Sequence, residues 1–290
     1  MDCKLMYCCA MCEKQFDCKI DHNEHNKWLV ERRMEKIRHK ILIMSNKGGV
    51  GKSTVTANLA SAFHKSGYKV GIADADIHGP NIPKMLGVEG KRLKSNDEGI
   101  IPLEISPNFK VASLAFLIER PEEPIVWRDA VKYDFIVELF GTINWGELDY
   151  LFVDLPPGTG NESITSIDLI GKVDGSVVVT IPTEASLLDA KKAVLFSKSH
   201  QVEVIGIIEN MSGLICPNCS HEIDPFTPGG GEKLAAALEV PFLGRIPLDR
   251  EISSRADKGE SFSILEQDFP SVKAFKEIVK KCEDFVNAKV

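Results

Sequence analysis

From Ile41 onward the chain alternates short, continuous apolar runs with longer helical stretches. The runs ILIMS (41–45), YKVGIAD (68–74), FKVASL (109–114), YLFVDL (150–155), GSVVVTI (175–181), EVIGIIEN (203–210) and PFLGRI (241–246) predict strands. Helices are predicted near 52–66, 128–140, 162–171, 184–199, 229–239 and 268–286. Unbroken Val/Ile/Leu runs separated by helices are what a parallel sheet covered on both faces requires, so the expected class is α/β. Ahead of this pattern, DHNEHNKWLVERRMEKIRHK (21–40) reads as a charged helix with Trp28, Val30, Met34 and Ile37 as scattered apolar positions. Its mixed charges favour a solvated connecting helix. Two stretches fit neither pattern. Residues 87–108, rich in Gly, Pro, Lys and Asp, are expected to form a loop or small excursion, and 211–231 is too long for a simple turn, a feature that often marks function.

Composition narrows the class of protein without naming it. A chain of 290 residues accommodates one large α/β domain with a short appendage, or two small domains, and buries roughly three quarters of its extended surface. The net charge of -7 argues against broad nucleic-acid binding, which needs a surplus of Lys and Arg against the phosphates. No run approaches the length of a membrane span. The apolar LMYCCAMC is long enough for a minimal signal core. However, it follows Asp2 and Lys4, lacks a small-residue cleavage pair and gives way to EKQFDCK, so it is expected to be mature sequence.

The sharpest signal is SNKGGVGKST (45–54), placed between the first strand and the first long helix. Glycines there let backbone N–H groups turn toward an anion, and the helix N-terminus adds partial positive charge. Lys52 is expected to reach the β- and γ-phosphates and Ser53 to take a place on Mg²⁺, with Thr54 donating to the α-phosphate. Gly48, Gly49, Val50 and Gly51 complete the cradle. A glycine-rich turn without nucleotide is the bland alternative, outweighed by the order strand, loop, helix. Asn46 stands where the usual pattern begins with Gly, and a second lysine, Lys47, precedes the glycine pair. This resembles the deviant Walker A ATPases, the group of MinD, ParA and the nitrogenase iron protein. The resemblance implies that Lys47 reaches across a two-fold dimer interface, that Asp76 positions the attacking water, and that Asn210 contacts adenine. Asp154 ends the strand YLFVDL at the Walker B position, where a carboxylate holds Mg²⁺. A nucleotide loop implies the cytoplasm, where clustered thiols read better as metal ligands than as disulfides.

CPNC puts Cys216 and Cys219 at metal-ligand spacing in the long loop. Two thiolates are half of a four-thiolate set, and a two-fold homodimer supplies the rest by symmetry. A redox C-x-x-C and a zinc site with His221 are the rival readings. The set KGGVGKST, DADIHGPNIPKMLG, DLPPGTG, ENMSGLICPNC, GGGEKLA and FLGRIPLD resembles the Mrp/ApbC family of iron–sulfur cluster carrier ATPases over about Ile41 to Gly259. That resemblance implies a homodimer that holds a labile 4Fe–4S cluster between subunits, hydrolyses ATP and passes the cluster to apo client proteins, without nucleic acid or membrane. A related scaffold subunit is an alternative partner. An electron donor like the nitrogenase iron protein and a ParA/MinD-like positioning ATPase are the competing functions.

A scaffold branch of that family adds an N-terminal cysteine block ending C-x2-C-x5-C, which Cys9, Cys12 and Cys18 match. The branch's first cysteine stands further upstream than this sequence reaches, so either Cys3 or Cys8 is expected to substitute as the fourth ligand or the site is expected to be three-coordinate. Asn161 replaces the usual Asp after PPGTG, implying slow hydrolysis. Asn81 replaces a usual Ser with little expected consequence, and Cys282 is expected to be a small buried or half-buried hydrophobe. The expected division is 1–38, a Cys-rich extension with its connecting helix, and 39–290, a P-loop ATPase domain carrying the C-x-x-C loop.

Overall fold

The computed structural model describes residues 5–13, 17–117, 128–216, 219, 221–260 and 268–288. In chain order, helix α1 (His22–Met34) leads into β1 (Ile37–Met44), α2 (Lys52–Lys65), β2 (Val70–Asp74) and the short α3 (Ile82–Met85). Then come β3 (Lys94–Asn96), β4 (Gly99–Ile101), β5 (Leu103–Ser106), β6 (Phe109–Ser113), α4 (Asp129–Val137), β7 (Leu148–Asp154) and α5 (Asn161–Ile170). The last third comprises β8 (Gly175–Thr180), α6 (Glu184–Ser199), β9 (Val204–Glu209), β10 (Leu214–Ile215), β11 (Glu222–Ile223), α7 (Gly230–Ala237), β12 (Phe242–Arg245), α8 (Arg250–Asp257) and α9 (Pro270–Asn287).

The main sheet runs β12-β9-β8-β1-β7-β2-β6-β5. Its pairings are parallel from β12 to β6, while β5 lies antiparallel on the edge against β6. The expected excursion at 87–108 thus contributes that edge strand and a β3–β4 hairpin. Alternate residues of β1 face opposite layers. Ile41 and Ile43 join Leu59 and Phe63 of α2 and Phe275 and Ile278 of α9. Leu42 and Met44 join Val30 and Met34 of α1, Phe135 of α4 and Ile167 of α5. Covering both faces is why the central strands lack polar alternation. The catalytic end of such a sheet lies beyond the strand C-termini, where β1, β2 and β7 deliver their loops together.

The first helix departs from expectation. Rather than running solvated, α1 buries Leu29, Val30, Arg33 and Met34 and holds His25 and Asn26 inside as well. Its burial is partly polar and therefore leaves no clean periodic signal. Arg33 donates from Nε to Gly141 O (3.1 Å), from Nη1 to Asn144 Oδ1 (2.9 Å) and from Nη2 to Glu98 O. Asp21 caps the helix by accepting from the N–H groups of Asn23 and Glu24. The strand that follows also starts earlier than the apolar run, at Ile37. Lys40 can enter it because its Nζ turns back to Met34 O and Ile37 O, while His39 Nδ1 lies 3.1 Å from Asp174 Oδ1.

Glu138 opens a π-helical turn, Glu138–Thr142, after α4, and its Oε1 is buried with no hydrogen-bond partner among the described residues. Burial pushes its carboxyl from 4.5 to about 7. A raised acid pKa means the folded state holds the proton more tightly than the unfolded chain. Its contribution is therefore full below about 4.5 and lost as pH rises through about 7. Glu138→Gln should remove about 2–3 kcal/mol of pH dependence across that window, as measured by urea unfolding at pH 4.5, 6 and 8. A variant whose stability still falls by that amount would show that another group titrates.

Candidate functional site: a phosphate loop beside a cysteine hairpin

The loop 45–51 links β1 to α2 and turns on two glycines in the left-handed region, Gly49 at φ +81 and Gly51 at φ +82. Side chains rarely adopt that conformation, which is how the N–H groups can line a concave anion cradle ahead of Lys52. Gly51 has a second reason to lack a Cβ, since one there would stand 2.3 Å from Asn210 Nδ2.

The parallel pairing of β7 against β1 sets Asp154 opposite Ile43, at the mouth of this loop. Lys52 Nζ donates to Asp154 Oδ2 at 2.7 Å and lies 3.7 Å from Asp76 Oδ2. Ser53 Oγ donates to the same Asp154 oxygen at 2.7 Å, and Thr56 Oγ1 to Oδ1 at 2.6 Å. Lys52, Ser53, Asp76 and Asp154 therefore meet at one point although they come from three parts of the chain. Burial pushes the Asp76 carboxyl above its usual range, with Lys52 opposing, and Gly79 N–H donates to its Oδ1.

Two contributors escaped sequence reasoning. Asp74, opposite Asp154 across the β2–β7 ladder, is fully buried. Burial, then the Asp154 charge, pushes it well above the carboxylate range, and Ser113 Oγ donates to it at 2.8 Å. Asn46 anchors the loop sideways, its Nδ2 donating to Asp189 Oδ1 on α6. An Asp in the ADAD repeat and a polar residue at a glycine position were the available signals.

The other phosphate-loop residues sit along the cradle. Lys47, Gly48 and Gly49 are exposed, Val50 is buried, and Thr54 is half-buried in the first turn of α2. Asn210, following β9, is buried and its Nδ2 donates to Val50 O at 2.9 Å. The residue expected to contact adenine is thus packed on the loop itself.

Cys216 and Cys219 belong to a two-stranded hairpin, β10 pairing with β11 through Leu214–Ile223 and Ile215–Glu222. Cys216 N–H donates to His221 O at 2.9 Å and closes the turn. Cys216 is half-buried and Cys219 exposed.

At the N-terminus, Cys9 starts a 3-10 turn, Cys9–Met11, and Cys12 N–H donates to Cys9 O. Cys9 is buried, its N–H on Asn26 Oδ1 and its Sγ 3.2 Å from His25 Nδ1. Cys8 turns the other way, into an apolar cluster with Leu29 and Val137, and burial pushes its thiol up. Cys12 and Cys18 are half-buried, and Cys3 lies outside the described residues. Among the described residues no three His, Cys, Asp or Glu side chains gather tightly enough to hold a metal ion. Cys282 is fully buried in the core under α9, its thiol pushed up to about 12 by burial. Among the described residues no helix is long and apolar enough to cross a membrane.

A phosphate loop joining a central strand to a helix, with its lysine on the aspartate that ends the neighbouring strand, defines a P-loop nucleoside triphosphatase. Comparison with known proteins narrows this. A family model described as ParA, NUBPL iron-transfer P-loop NTPase, matches residues 36–283, and the chain belongs to that family. The chain is 47% identical over 260 residues to the iron-sulfur cluster carrier protein of Methanocaldococcus jannaschii, covering 90% of this chain and 89% of that one. It is 42% identical to the protein of the same name from Methanococcus maripaludis, covering 93% and 94% of the two chains.

Among solved structures, a nucleotide-binding protein from Archaeoglobus fulgidus in complex with ADP, with cobalt found in it, is similar at a TM-score of 0.73 and 37% identity, over 84% of this chain and 94% of that one. The cell-division ATPase MinD of Pyrococcus furiosus, 23% identical with a TM-score of 0.62 over 85% and 99% of the two chains, shares the fold.

Proposed function

We propose that the chain is an ATP-dependent iron–sulfur carrier that assembles a 4Fe–4S cluster between two copies of itself and passes it to apo client proteins in the cytoplasm. One observation supports this above the others: a single strand end, Glu209–Asn210, touches both the phosphate loop and the roots of the excursion that carries the cysteine hairpin. The names and iron-transfer family of its relatives point the same way.

The donor set suits a nucleotide with a hard cation. Ser53 Oγ and Asp154 are oxygen donors already within hydrogen-bonding distance of each other and of Lys52, and they would hold Mg²⁺, which lowers the charge on the phosphates. Lys52 then exchanges its hold on Asp154 for the β- and γ-phosphates, and Asp76 orients the water. Lys47, exposed at the lip of the loop, is free to reach a partner subunit's phosphates. Two hairpins facing each other across a two-fold axis would present Cys216 and Cys219 twice, a four-thiolate set. Cys9, Cys12 and Cys18 would form a second site once their segment gathers, with Cys3 or Cys8 completing it. Asn161 begins α5 at the turn after PPGTG, and hydrolysis is expected to be slow.

Anaerobic reconstitution with iron and sulfide tests this reading. Wild-type protein should take up iron and sulfide in equal amounts and develop a broad thiolate-to-iron absorption. Cys216→Ala/Cys219→Ala should lose the bridging share, and Cys12→Ala/Cys18→Ala the remainder. Well-folded wild-type protein that binds no iron would overturn the proposal.

A further inference from the structure

Glu209 ends β9 fully buried, yet it is an acid with no role in phosphate chemistry. Among the described residues, the hydrogen bonds and ion pair of its carboxylate lie on the 211–231 excursion or on the strand beside it. Oε1 accepts from Ser212 Oγ at 2.5 Å and from Gly229 N–H at 3.1 Å, while Oε2 accepts from Gly231 N–H at 2.5 Å. Arg245 Nε stands 3.7 Å from Oε1. Ser212 is the outgoing root of the 211–231 excursion that carries the cysteine hairpin, and Gly229 and Gly231, at the start of α7, are the returning one. One carboxylate therefore holds both roots. The fit is close, since a Cβ on Gly231 would come within 3.0 Å of Glu209 Oε2.

The next residue faces the other way. Asn210 Nδ2 donates to Val50 O, and the same amide lies over Gly51, so any shift of the phosphate loop presses directly on it. Met211 follows in the left-handed region, at φ +53, with its methyl group also near Gly51. Asn210 N–H is in turn fixed to Thr180 O at 2.7 Å, so the strand end resists absorbing a displacement by fraying. Movement of the loop around a phosphate must pass into residues 209–212 or break these bonds.

We propose that Glu209 is the positioning residue that couples nucleotide occupancy of the phosphate loop to the geometry of the Cys216/Cys219 hairpin. This rests on the proposed reading only in taking the phosphate loop as a nucleotide site. The coupling itself requires no metal. Because coupling between sites is reciprocal, a ligand that restrains the hairpin changes nucleotide affinity by the same factor.

Thiol alkylation tests this without iron. Iodoacetamide modification rates at Cys216 and Cys219, followed by peptide mass spectrometry, are compared in full-length protein alone, with Mg-ADP and with Mg-ATP. In the wild type, saturating nucleotide should change the rate at Cys219 by about fivefold or more. In Glu209→Gln, which keeps the shape of the side chain but turns a donor toward one of the backbone N–H groups, the ratio should fall close to one while labelled ADP still binds. Retention of the wild-type ratio in nucleotide-bound Glu209→Gln overturns the proposal, as does a wild-type rate indifferent to nucleotide. Should Glu209→Gln fail to fold by circular dichroism, Ser212→Ala decides: a reduced ratio supports the coupling and an unchanged one overturns it. A separate Co²⁺ titration reports whether the hairpin thiolates bind metal, so failure of the carrier reading is distinguishable from failure of the coupling.

Discussion

Replacing Lys52 by methionine is expected to lower ATP turnover by about 10²–10³-fold, the usual cost of removing one preorganised charge from a transition state. Its effect on folding should be nearly as telling. Lys52 is the cation set among Asp154 at 2.7 Å and Asp76 at 3.7 Å, and Asp74 lies beside Asp154 across the ladder. Methionine keeps the aliphatic stem and removes the charge, so packing changes little. The buried carboxyls then face one another uncompensated, which costs about 3–5 kcal/mol when a buried pair is broken from one side. Asp74 and Asp76 already lie above the usual carboxylate range through burial. Loss of the lysine raises them further, so the variant's stability is present at low pH and falls as pH rises. Urea unfolding at pH 5 and pH 7 should show a deficit that widens toward pH 7. A uniform deficit would place the effect in packing instead.

Arg33→Ala should destabilise the chain by about 3–5 kcal/mol, because it strips donors from several acceptors at once. Gly141 O loses its guanidinium partner, as do Asn144 Oδ1 and Glu98 O, and the α1 face opens next to Leu29 and Val30. The consequence reaches the N-terminal cysteines. Cys9 N–H is held by Asn26 of the same helix, and Cys8 N–H by Thr142 of the π-helical turn that Arg33 grips. Hydrogen exchange at Cys8 and Cys9 should therefore accelerate along with exchange in α1. Unchanged protection there, in a variant destabilised overall, would separate the cysteine segment from the helix anchor.

Much of the sheet was legible because its strands are buried on both faces and appear as unbroken apolar runs. Six of these, 70–74, 109–113, 148–154, 175–180, 204–209 and 242–245, lie within a residue or two of the expected spans. The phosphate loop was legible for a local reason: its geometry demands glycines at two left-handed positions, and no other composition supplies them cheaply. Helix α1 departs from the expected solvated helix because its buried face mixes Leu and Val with His, Asn and Arg, whose partners lie outside the helix, from Cys9 on one side to Gly141 and Asn144 on the other. The edge strand β5 and the start of β1 at Ile37 were missed for a similar reason, since charged residues are tolerated where side chains can turn back to carbonyls or to solvent.

By itself, the sequence determined the α/β class, the loop that cradles phosphate, and the two cysteines poised on a long excursion. These follow from local chemistry and periodicity, which neighbouring residues carry without help. Only the tertiary structure decided that Asp74 joins the acidic cluster, that Asn210 rests on the phosphate loop, that Cys8 packs against Leu29 and Val137, and that Glu209 holds both ends of the excursion carrying the cysteine hairpin. Each of these depends on strand register and on contacts between distant segments. A buried carboxylate and an exposed turn residue look alike in sequence until the fold sets their neighbours.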